Sequence, residues 1–379
     1  MIRVPVRSQL IRWARERAGY DIAGLSERFA KLEEWERGES FPTLKQLEDF
    51  AKATRTPFGY FFLAQPPVER VPIPDFRTVG NALIEHPSPD LLDTIYLCQQ
   101  RQEWFRDDAR MTGEPPLEFV GSARRSDDAV EVANRIRKEL GFSIEERRIL
   151  PTWEAALRRF IEVVDKAGIL VMVNGVVGSN NRRKLDPAEF RGFALADPLA
   201  PLVFINGADT KAAQMFTLAH ELAHLWLGET ALSDVPLSPS HDVEVWCNKV
   251  AAELLVPMTV FRNEYDPKRP LASELQRLAR WFKVSTLVIL RRMHDAGGLN
   301  QSRFRAEYEA ELDRLRSIQR TEGGDFYLST TARVGKRFAR AVVTATWEGR
   351  ASFTEAFHLL GFKKMETFRK LGQNLGVGV

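Results

Sequence analysis

The sequence predicts a mixed fold in which helical regions at both ends flank a central α+β domain. Three observations predict it. The first 64 residues carry four short segments of helical periodicity, residues 168–206 alternate between β-rich stretches and turn residues, and helical periodicity returns beyond residue 298. A chain of 379 residues with 44% hydrophobic residues is long enough for two or three domains with sizeable cores.

The N-terminal domain is predicted to be all-α and to span residues 1–64. Glycine and proline interrupt its helical periodicity at Gly19, Gly38 and Pro42, which separates four short helices. The predicted helices cover residues 9–18, 22–29, 31–37 and 43–53.

Residues 65–125 are predicted to connect this domain to the next one. The prolines of PPVERVPIPDFR, directly after Gln65, are typical of an extended linker. A connector helix is expected over residues 89–111, and we expect its Trp104 and Phe105 to be buried against a neighbouring domain.

The central α+β domain is predicted to span residues 126–297. Its first helix, SDDAVEVANRIRKELG, begins with a Ser/Asp cap and ends at Gly141. Strands rich in β-branched and aromatic residues follow, and then two helices that end at Gly228 and Pro257. The strands cover residues 168–177, 190–197 and 201–206, and the two helices cover residues 209–227 and 242–257.

The most informative motif is the pentapeptide HELAH at residues 220–224, on the first of these two helices. One helical turn places His220 and His224 on the same face, where both imidazoles can bind one Zn²⁺. Glu221 points to the side and is placed to act as a general base on water. These residue types at this spacing predict a metal-dependent hydrolase.

A catalytic zinc ion normally takes three protein ligands, so a third ligand is required. Glu244 and Glu253 are the candidates, because both lie on the helix predicted over residues 242–257. We favour Glu244, since Asn248 lies one turn further on the same face and can hydrogen-bond a ligand. Glu253 stays open as the alternative.

Three features near these candidates carry smaller expectations. An exposed edge among the predicted strands would hold an extended peptide beside the metal. His241 is a candidate oxyanion donor, although a surface histidine in the loop LSDVPLSPSHD is the simpler interpretation. Cys247 lies three residues after Glu244, and we expect a small buried thiol there rather than a ligand.

These motifs resemble those of the ImmA/IrrE-type metallopeptidases, which are cytoplasmic bacterial proteins. That family carries an HExxH helix, a Glu-x-x-(Cys/Ala)-Asn motif and an Ala-Ala-x-Leu-Leu-x-Pro run, and this chain reads EVWCN at residues 244–248 followed by AAELLVP. The resemblance covers about residues 127–295. It implies a zincin-like α+β metallopeptidase domain in which His220, His224 and Glu244 hold the metal and Glu221 is the general base.

The N-terminal domain is similar to the XRE-like helix-turn-helix module that many members of this family carry, through WERG at residues 35–38 and FPT at residues 41–43. The preceding stretch AKLEE is shorter than the usual turn and recognition helix, and it offers Glu33 and Glu34 where DNA would be read. Residues 1–64 hold 11 Lys and Arg against 9 Asp and Glu, a net charge of only +2. DNA binding and a DNA-independent role in dimerisation or partner binding both stay open.

Residues 298–379 are predicted to form a mainly helical C-terminal region. A long charged helix is expected over residues 301–320 and a basic helix over residues 332–346, followed by a final helical pair. One face of the basic helix is predicted to carry four cations that could contact nucleic acid or an acidic partner, with a solvated face as the simpler interpretation. These cations are Arg333, Lys336, Arg337 and Arg340.

Cysteine usage and the distribution of apolar residues indicate the cellular compartment of the protein. The two cysteines, Cys98 and Cys247, provide no disulfide framework, and the start MIRVPVRSQLIRW lacks a continuous apolar signal sequence. No apolar stretch is long enough to cross a bilayer. We therefore expect a cytoplasmic protein with no membrane partner, and its oligomeric state stays open.

The motifs predict a zinc-dependent endopeptidase, and the resemblance to the ImmA/IrrE-type family implies narrow specificity for a regulatory protein in a stress or mobile-element response. The substrate is expected to be a repressor or the product of a neighbouring gene. Mn²⁺ is an alternative occupant of the same ligands. The alternative function is a DNA-binding transcriptional regulator or antitoxin-like protein that uses the peptidase fold to bind a partner. Glu221 argues against a purely structural metal site, which needs no base and is usually closed by four protein ligands.

Overall fold

The computed structural model describes residues 3–74, 87–233, 242–317 and 331–377. The chain divides into two compact units. The first consists of Met1–Pro72 and Ala82–Tyr96, and the second consists of Ile73–Asn81 and Leu97–Val379. The domain boundaries drawn from the sequence at residues 64, 125 and 297 stay predictions.

Four short helices and a 3₁₀ helix build most of the first unit. They are α1 (Ser8–Arg17), α2 (Ile22–Ser26), α3 (Leu32–Arg37), α4 (Leu44–Ala53) and the 3₁₀ helix Phe58–Phe62. The four predicted helices are confirmed, although α2 ends three residues before the predicted residue 29. The rings of Phe29, Trp35 and Phe50 pack against one another in its core. Whether this unit is a helix-turn-helix that reads DNA stays a prediction.

A buried ion pair links α1 to α3 in the first unit. Arg15 donates two hydrogen bonds to the carboxylate of Glu36, at 2.6 and 3.1 Å, and a third to the backbone oxygen of Tyr20 at 2.9 Å. Removing either partner would leave the other charge buried with only a more exposed ion-pair partner, Glu16 for Arg15 or Arg12 for Glu36. Glu36 is therefore a structural residue of α3.

The second unit contains a four-stranded mixed sheet and a small hairpin. The strands are β1 (Leu170–Asn174), β2 (Val176–Val177), β3 (Asn180–Lys184), β4 (Gly192–Leu195), β5 (Leu202–Asn206) and β6 (Ala231–Ser233). The sheet has the order β1-β5-β4-β6, and β2 pairs with β3. β1 runs parallel to β5, whereas β4 runs antiparallel to both β5 and β6. Every residue of β5 is buried, which explains its continuous apolar sequence.

Helices make up most of the described chain beyond the first unit and the strands. They are α5 (Pro89–Thr112, whose residues up to Tyr96 belong to the first unit), α6 (Ala129–Leu140), α7 (Ile144–Ile149), α8 (Trp153–Lys166), α9 (Lys211–Leu227), α10 (Asp242–Leu255), α11 (Met258–Glu264), α12 (Leu271–Phe282), α13 (Thr286–Asp295), α14 (Gln301–Ser317), α15 (Lys336–Trp347), α16 (Phe353–Leu360) and α17 (Met365–Leu375). α8 and α9 pack with β4 and β5 in one core, which also includes α10. In the described part of the chain, no helix combines the length and the apolar character that crossing a bilayer requires.

α9 has well-defined ends that follow from its sequence. The Thr210 hydroxyl accepts a hydrogen bond from the Ala213 amide at 3.2 Å, and Gly228 ends the helix in the left-handed conformation with φ 72°. The predicted end at Gly228 is confirmed, and the helix begins two residues later than predicted. All residues from Gln214 to Trp226 are buried, which places this helix inside the core.

The prediction of a basic helix over residues 332–346 is wrong at its N-terminal end. Gly335 separates a helical turn at residues 331–334 from α15, and its φ of 82° is not compatible with a continuous right-handed helix. A Cβ at Gly335 would lie 2.8 Å from the backbone oxygen of Val171. The chain therefore needs glycine where it passes close to β1.

α5 is attached to the C-terminal helices by large side chains. The Arg101 guanidinium donates to the backbone oxygen of Leu359 at 3.1 Å and lies over the ring of Phe338. Trp104 meets Phe338 edge to face, with ring centroids 5.7 Å apart, and Phe105 is buried. Trp104 and Phe105 therefore pack within the second unit, and their burial against a separate neighbouring domain stays a prediction.

Candidate metal centre

Two helices bring three metal-binding side chains together. His220 and His224 lie one turn apart on α9, and Glu244 lies in the first turn of α10. Each of the three is at most 1% exposed. One ligand atom from each lies within 4.8 Å of the others, and this is the one such group among the residues that the structure describes.

The distances between these atoms fit a small divalent cation. The Nε2 atoms of His220 and His224 lie 3.1 Å apart, and each lies 3.1 Å from an oxygen of Glu244. Ligand atoms bound at about 2.1 Å to one tetrahedral zinc ion are about 3.4 Å from one another. Two imidazoles and a carboxylate at these separations are a suitable donor set for Zn²⁺.

Glu253, the other candidate for the third ligand, lies at the opposite end of α10. Its carboxylate forms an ion pair with Arg292 at 2.7 Å and accepts a hydrogen bond from the Met258 amide at 3.2 Å. These contacts place Glu253 in a structural network, so the geometry favours Glu244 as the third ligand.

Asn248 lies one turn beyond Glu244 and contacts His220. Its Oδ1 is 3.0 Å from Nδ1 of His220. Because an amide oxygen only accepts hydrogen bonds, this contact assigns a proton to Nδ1 and directs Nε2 toward Glu244 and His224. Asn248 therefore orients the ring, and its role as support for a metal ligand stays a prediction.

The charges in the group balance one another. Burial alone would raise the pKa of the Glu244 carboxyl, but the charge and hydrogen bond of His220, with the hydrogen bond of His224, lower it to about 2. Burial also opposes the charge on His220, yet the carboxylate of Glu244 outweighs it and raises the pKa of that imidazole. Burial lowers the pKa of His224. Glu244 is therefore ionised at neutral pH, as a metal ligand must be.

Glu221 lies beside the group without belonging to it. It follows His220 on α9, is fully buried, and directs its Oε1 toward β4, where a Cβ on Gly192 would be 3.1 Å away. A carboxylate in this position is close enough to the ligand cluster for its charge to contribute to the raised pKa of His220. The structure thus brings His220, Glu221, His224, Glu244 and Asn248 together at the crossing of two helices.

Three arginines that the sequence analysis did not single out fix the far end of α10. Arg137 donates to the backbone oxygen of Glu253 at 2.7 Å, Arg292 donates to that of Val256 at 2.9 Å, and Arg147 donates to that of Leu255. These carbonyls have no partner within the helix, and cations at a helix C-terminus are favourable. Burial lowers the pKa of Arg147 to about 9.

The remaining predictions near the centre have different outcomes. Cys247 is fully buried, as expected for a small thiol, and burial raises its pKa. His241 lies outside the described residues. At the edge strand β6, the Leu232 amide donates to the backbone oxygen of Pro74 at 2.9 Å, so this edge group already has a partner within the chain.

A glycine interrupts the helical segment that carries the four predicted surface cations. Arg333 lies before Gly335 and the other three lie after it. Arg337 pairs with Glu114 at 2.6 Å, and Arg340 donates to the backbone oxygen of Leu375 at 3.2 Å. The single basic stripe stays a prediction. A role for these residues in nucleic-acid or partner binding stays a prediction.

Two families and a known protein match parts of this chain. The family described as IrrE N-terminal-like domain matches residues 164–294, and a domain of unknown function (DUF8813) matches residues 334–374. Over 100 residues the chain is 34% identical to the radiation response metalloprotease IrrE of Deinococcus radiodurans. That alignment covers 24% of this chain and 29% of the relative.

The family match and the metal-binding geometry coincide. The matched segment contains the strands of the sheet, the HELAH motif on α9 and the EVWCN motif on α10. Members of a metalloprotease family bind a divalent metal, typically zinc, which agrees with the His/His/Glu group. Residues 164–294 of this chain therefore resemble the ImmA/IrrE-type metallopeptidases both in sequence and in the geometry of a candidate metal centre.

Proposed function

We propose that this chain is a zinc-dependent endopeptidase of narrow specificity that cleaves a regulatory protein, such as a repressor, in a stress or mobile-element response in the cytoplasm. One observation carries the proposal. Glu221 lies directly beside a buried group of two imidazoles and a carboxylate whose facing atoms are 3.1 Å apart. A structural metal site does not need a neighbouring base.

The chain's own residues divide the chemistry among them. His220, His224 and Glu244 would hold the cation, which when bound supplies the Lewis acidity that activates water near neutral pH. Asn248 keeps the Nδ1 proton of His220 in place, so that Nε2 is free to bind. The three arginines at the end of α10 fix the helix that carries Glu244.

Glu221 carries the proton transfers. Its carboxylate accepts a proton from the attacking water and delivers it to the nitrogen of the departing amine. Full burial of this carboxylate keeps bulk water away and strengthens its electrostatic interactions with the reacting groups. The same residue is thus general base and then general acid.

The setting of the activity is inferred from the relative and from the chain's organisation. The similarity to the radiation response metalloprotease IrrE supports a role in a stress response. A narrow substrate range is supported by the presence of a separate N-terminal unit, which we propose recruits the substrate, a partner or DNA.

A comparison of protein N-termini tests this proposal. Cells expressing the wild type, Glu221→Gln or the exposed control Glu131→Gln are compared by mass spectrometry, with and without DNA damage, and metal content is measured in each purified protein. We expect a small set of new N-termini in the wild type and the control that is absent in Glu221→Gln, while all three proteins bind the metal. If no N-terminus depends on Glu221, the endopeptidase proposal is wrong, and the antitoxin-like partner-binding alternative takes its place.

A further inference from the structure

Gly192 lies in β4 at the point where this strand faces α9. A Cβ on Gly192 would lie 2.6 Å from Cγ2 of Thr217, 2.8 Å from the backbone oxygen of Phe204 and 3.1 Å from Oε1 of Glu221. Close-packed interiors have no room for contacts as short as the first two. Any side chain at this position would therefore displace the helix, the strand or the Glu221 carboxylate.

Backbone conformation does not account for this glycine. Gly228, at the end of α9, has a φ of 72° that other residues rarely adopt, whereas Gly192 is not among the glycines with positive φ. Glycine in the middle of a strand is also unfavourable, because it has no side chain to pack and loses more backbone freedom. Residue 192 is therefore glycine because a side chain does not fit at this position.

The space lies on the α9 face of β4. Thr217 and Glu221 are one turn apart on α9, and both direct side-chain atoms toward Gly192. Gly192 pairs with Ile205 of β5 and with Ser233 of β6, so it is held from both sides. The backbone of β4, which has no side chain at this position and is held by both neighbouring strands, therefore faces the Glu221 carboxylate.

α9 itself has little freedom to move away from β4. The helix is capped at both ends, and His220 and His224 are tied to Glu244 and Asn248 of α10. The carboxylate of Glu221 is joined to this helix by rotatable bonds, so it is easier to displace than the helix itself. An added methyl group would therefore turn the carboxylate away from the ligand group.

We propose that Gly192 is a positioning residue for Glu221: its missing side chain sets the location of the general base beside the metal ligands. The inference rests on the proposed function, because the role of Glu221 as a base belongs to that proposal. Gly192 itself need not touch the substrate.

Cobalt substitution tests the inference without relying on turnover. The full-length wild type, Gly192→Ala and Glu221→Gln are loaded with Co²⁺, and the visible d–d spectrum is recorded against pH along with the metal content and Tm. Ala194→Ser is the matched control, because it adds one heavy atom two residues further along the same face of β4. Gly192→Ala/Thr217→Ser removes the 2.6 Å contact but keeps the one with Glu221.

If Gly192 positions Glu221, all variants bind one Co²⁺ per chain. The spectral midpoint of Gly192→Ala shifts toward that of Glu221→Gln by about 0.5 pH unit or more. Ala194→Ser keeps the wild-type midpoint. The double variant recovers Tm relative to Gly192→Ala but keeps the shifted midpoint. Any cleavage that depends on Glu221 falls by at least about tenfold in both Gly192 variants, since a 1 Å misplacement costs up to about 100-fold.

A wild-type midpoint in metal-loaded Gly192→Ala would overturn the positioning role, whatever its Tm. A double variant that recovers Tm, midpoint and cleavage together would also overturn it, because helix packing through Thr217 would then explain the glycine. The positioning role would also be overturned if both Gly192 variants failed to fold. If the wild type cleaves nothing, the proposed function fails, while the spectral comparison still decides whether Gly192 positions Glu221.

Discussion

The histidines of α9 and the cations around α15 show how two similar sequence patterns can fold differently. Both sets were identified by helical spacing. His220 and His224 meet Glu244 in a buried group, whereas Gly335 divides the cations, and Arg337 and Arg340 contact separate residues. Helical spacing in the sequence predicts that side chains lie on the same face only where the helix is continuous.

The two regions also differ in what surrounds the side chains. Around α9, burial removes water, and a carboxylate and an amide from α10 contact the imidazoles. Around α15, an exposed Lys336 and the paired Arg337 keep contact with solvent or with a nearby acid. A buried cluster of ligands is therefore the more informative indication of function.

The largest expected effect is the loss of metal from the histidine group. His224→Ala should abolish stoichiometric metal binding, because it removes one of three ligands. Arg337→Gln should leave metal content unchanged and lower the free energy of unfolding by no more than about 1 kcal/mol, since its ion pair with Glu114 is partly exposed. Metal analysis by mass spectrometry and denaturant unfolding check both variants. Metal retention near the wild-type level in His224→Ala would contradict the site.

A second test compares the two glutamates of α10. Glu244→Gln should weaken metal affinity by about 100-fold or more, because a neutral amide is a poor zinc ligand. Glu253→Gln should keep the metal but lower the free energy of unfolding by about 3 kcal/mol, since it leaves buried Arg292 without its carboxylate. Competition with a chelator measures the affinity. The reverse result, with metal lost only in Glu253→Gln, would move the third ligand to the other end of the helix.

Asn248 offers a smaller effect at the same centre. Asn248→Ala removes the acceptor for Nδ1 of His220 and should reduce metal affinity by about 10- to 100-fold. Asn248→Asp keeps an acceptor at that position and should lose less. Equal affinities for the wild type and Asn248→Ala would show that the ring is held by packing alone.

The smallest predicted effect concerns a carboxylate next to α15. Burial raises the pKa of Asp165, although the backbone amide of Arg337 donates to it at 3.0 Å and lowers the pKa in part. As pH rises from about 4 through this raised pKa, the unfolded chain ionises freely but the folded protein must bury a charge, so stability falls. The free energy of unfolding of the wild type relative to Asp165→Asn should therefore decrease with pH in this window. A difference that is independent of pH would contradict the pKa shift.

The sequence was sufficient to predict the elements whose signals are local. The four helices of the first unit, the strands around β1, β4 and β5, and the helices α9 and α10 all follow from periodicity, caps and turn residues. The group formed by His220, His224, Glu244 and Asn248 follows from two motifs with helical spacing.

Other features depend on contacts between distant parts of the chain. The arginines on the end of α10 come from residues 137, 147 and 292, which no local pattern connects. β6 has three residues and is defined only by its pairing with β4. The apolar spacing of Leu157, Phe160 and Val164 could have indicated α8, whereas the close approach of Gly192 to Glu221 becomes visible only once strand and helix are packed.

The attachment of the C-terminal helices has a consequence for biosynthesis. Arg101 binds the backbone oxygen of Leu359 across 258 residues of sequence, and Gly335 lies against β1. A ribosome releases the metal ligands long before it releases these covering residues. The nascent chain therefore carries the metal-binding residues before Gly335 and Leu359 have been added. Under the proposed function, any peptidase activity that depends on these later contacts would begin only after Leu359 has left the ribosome.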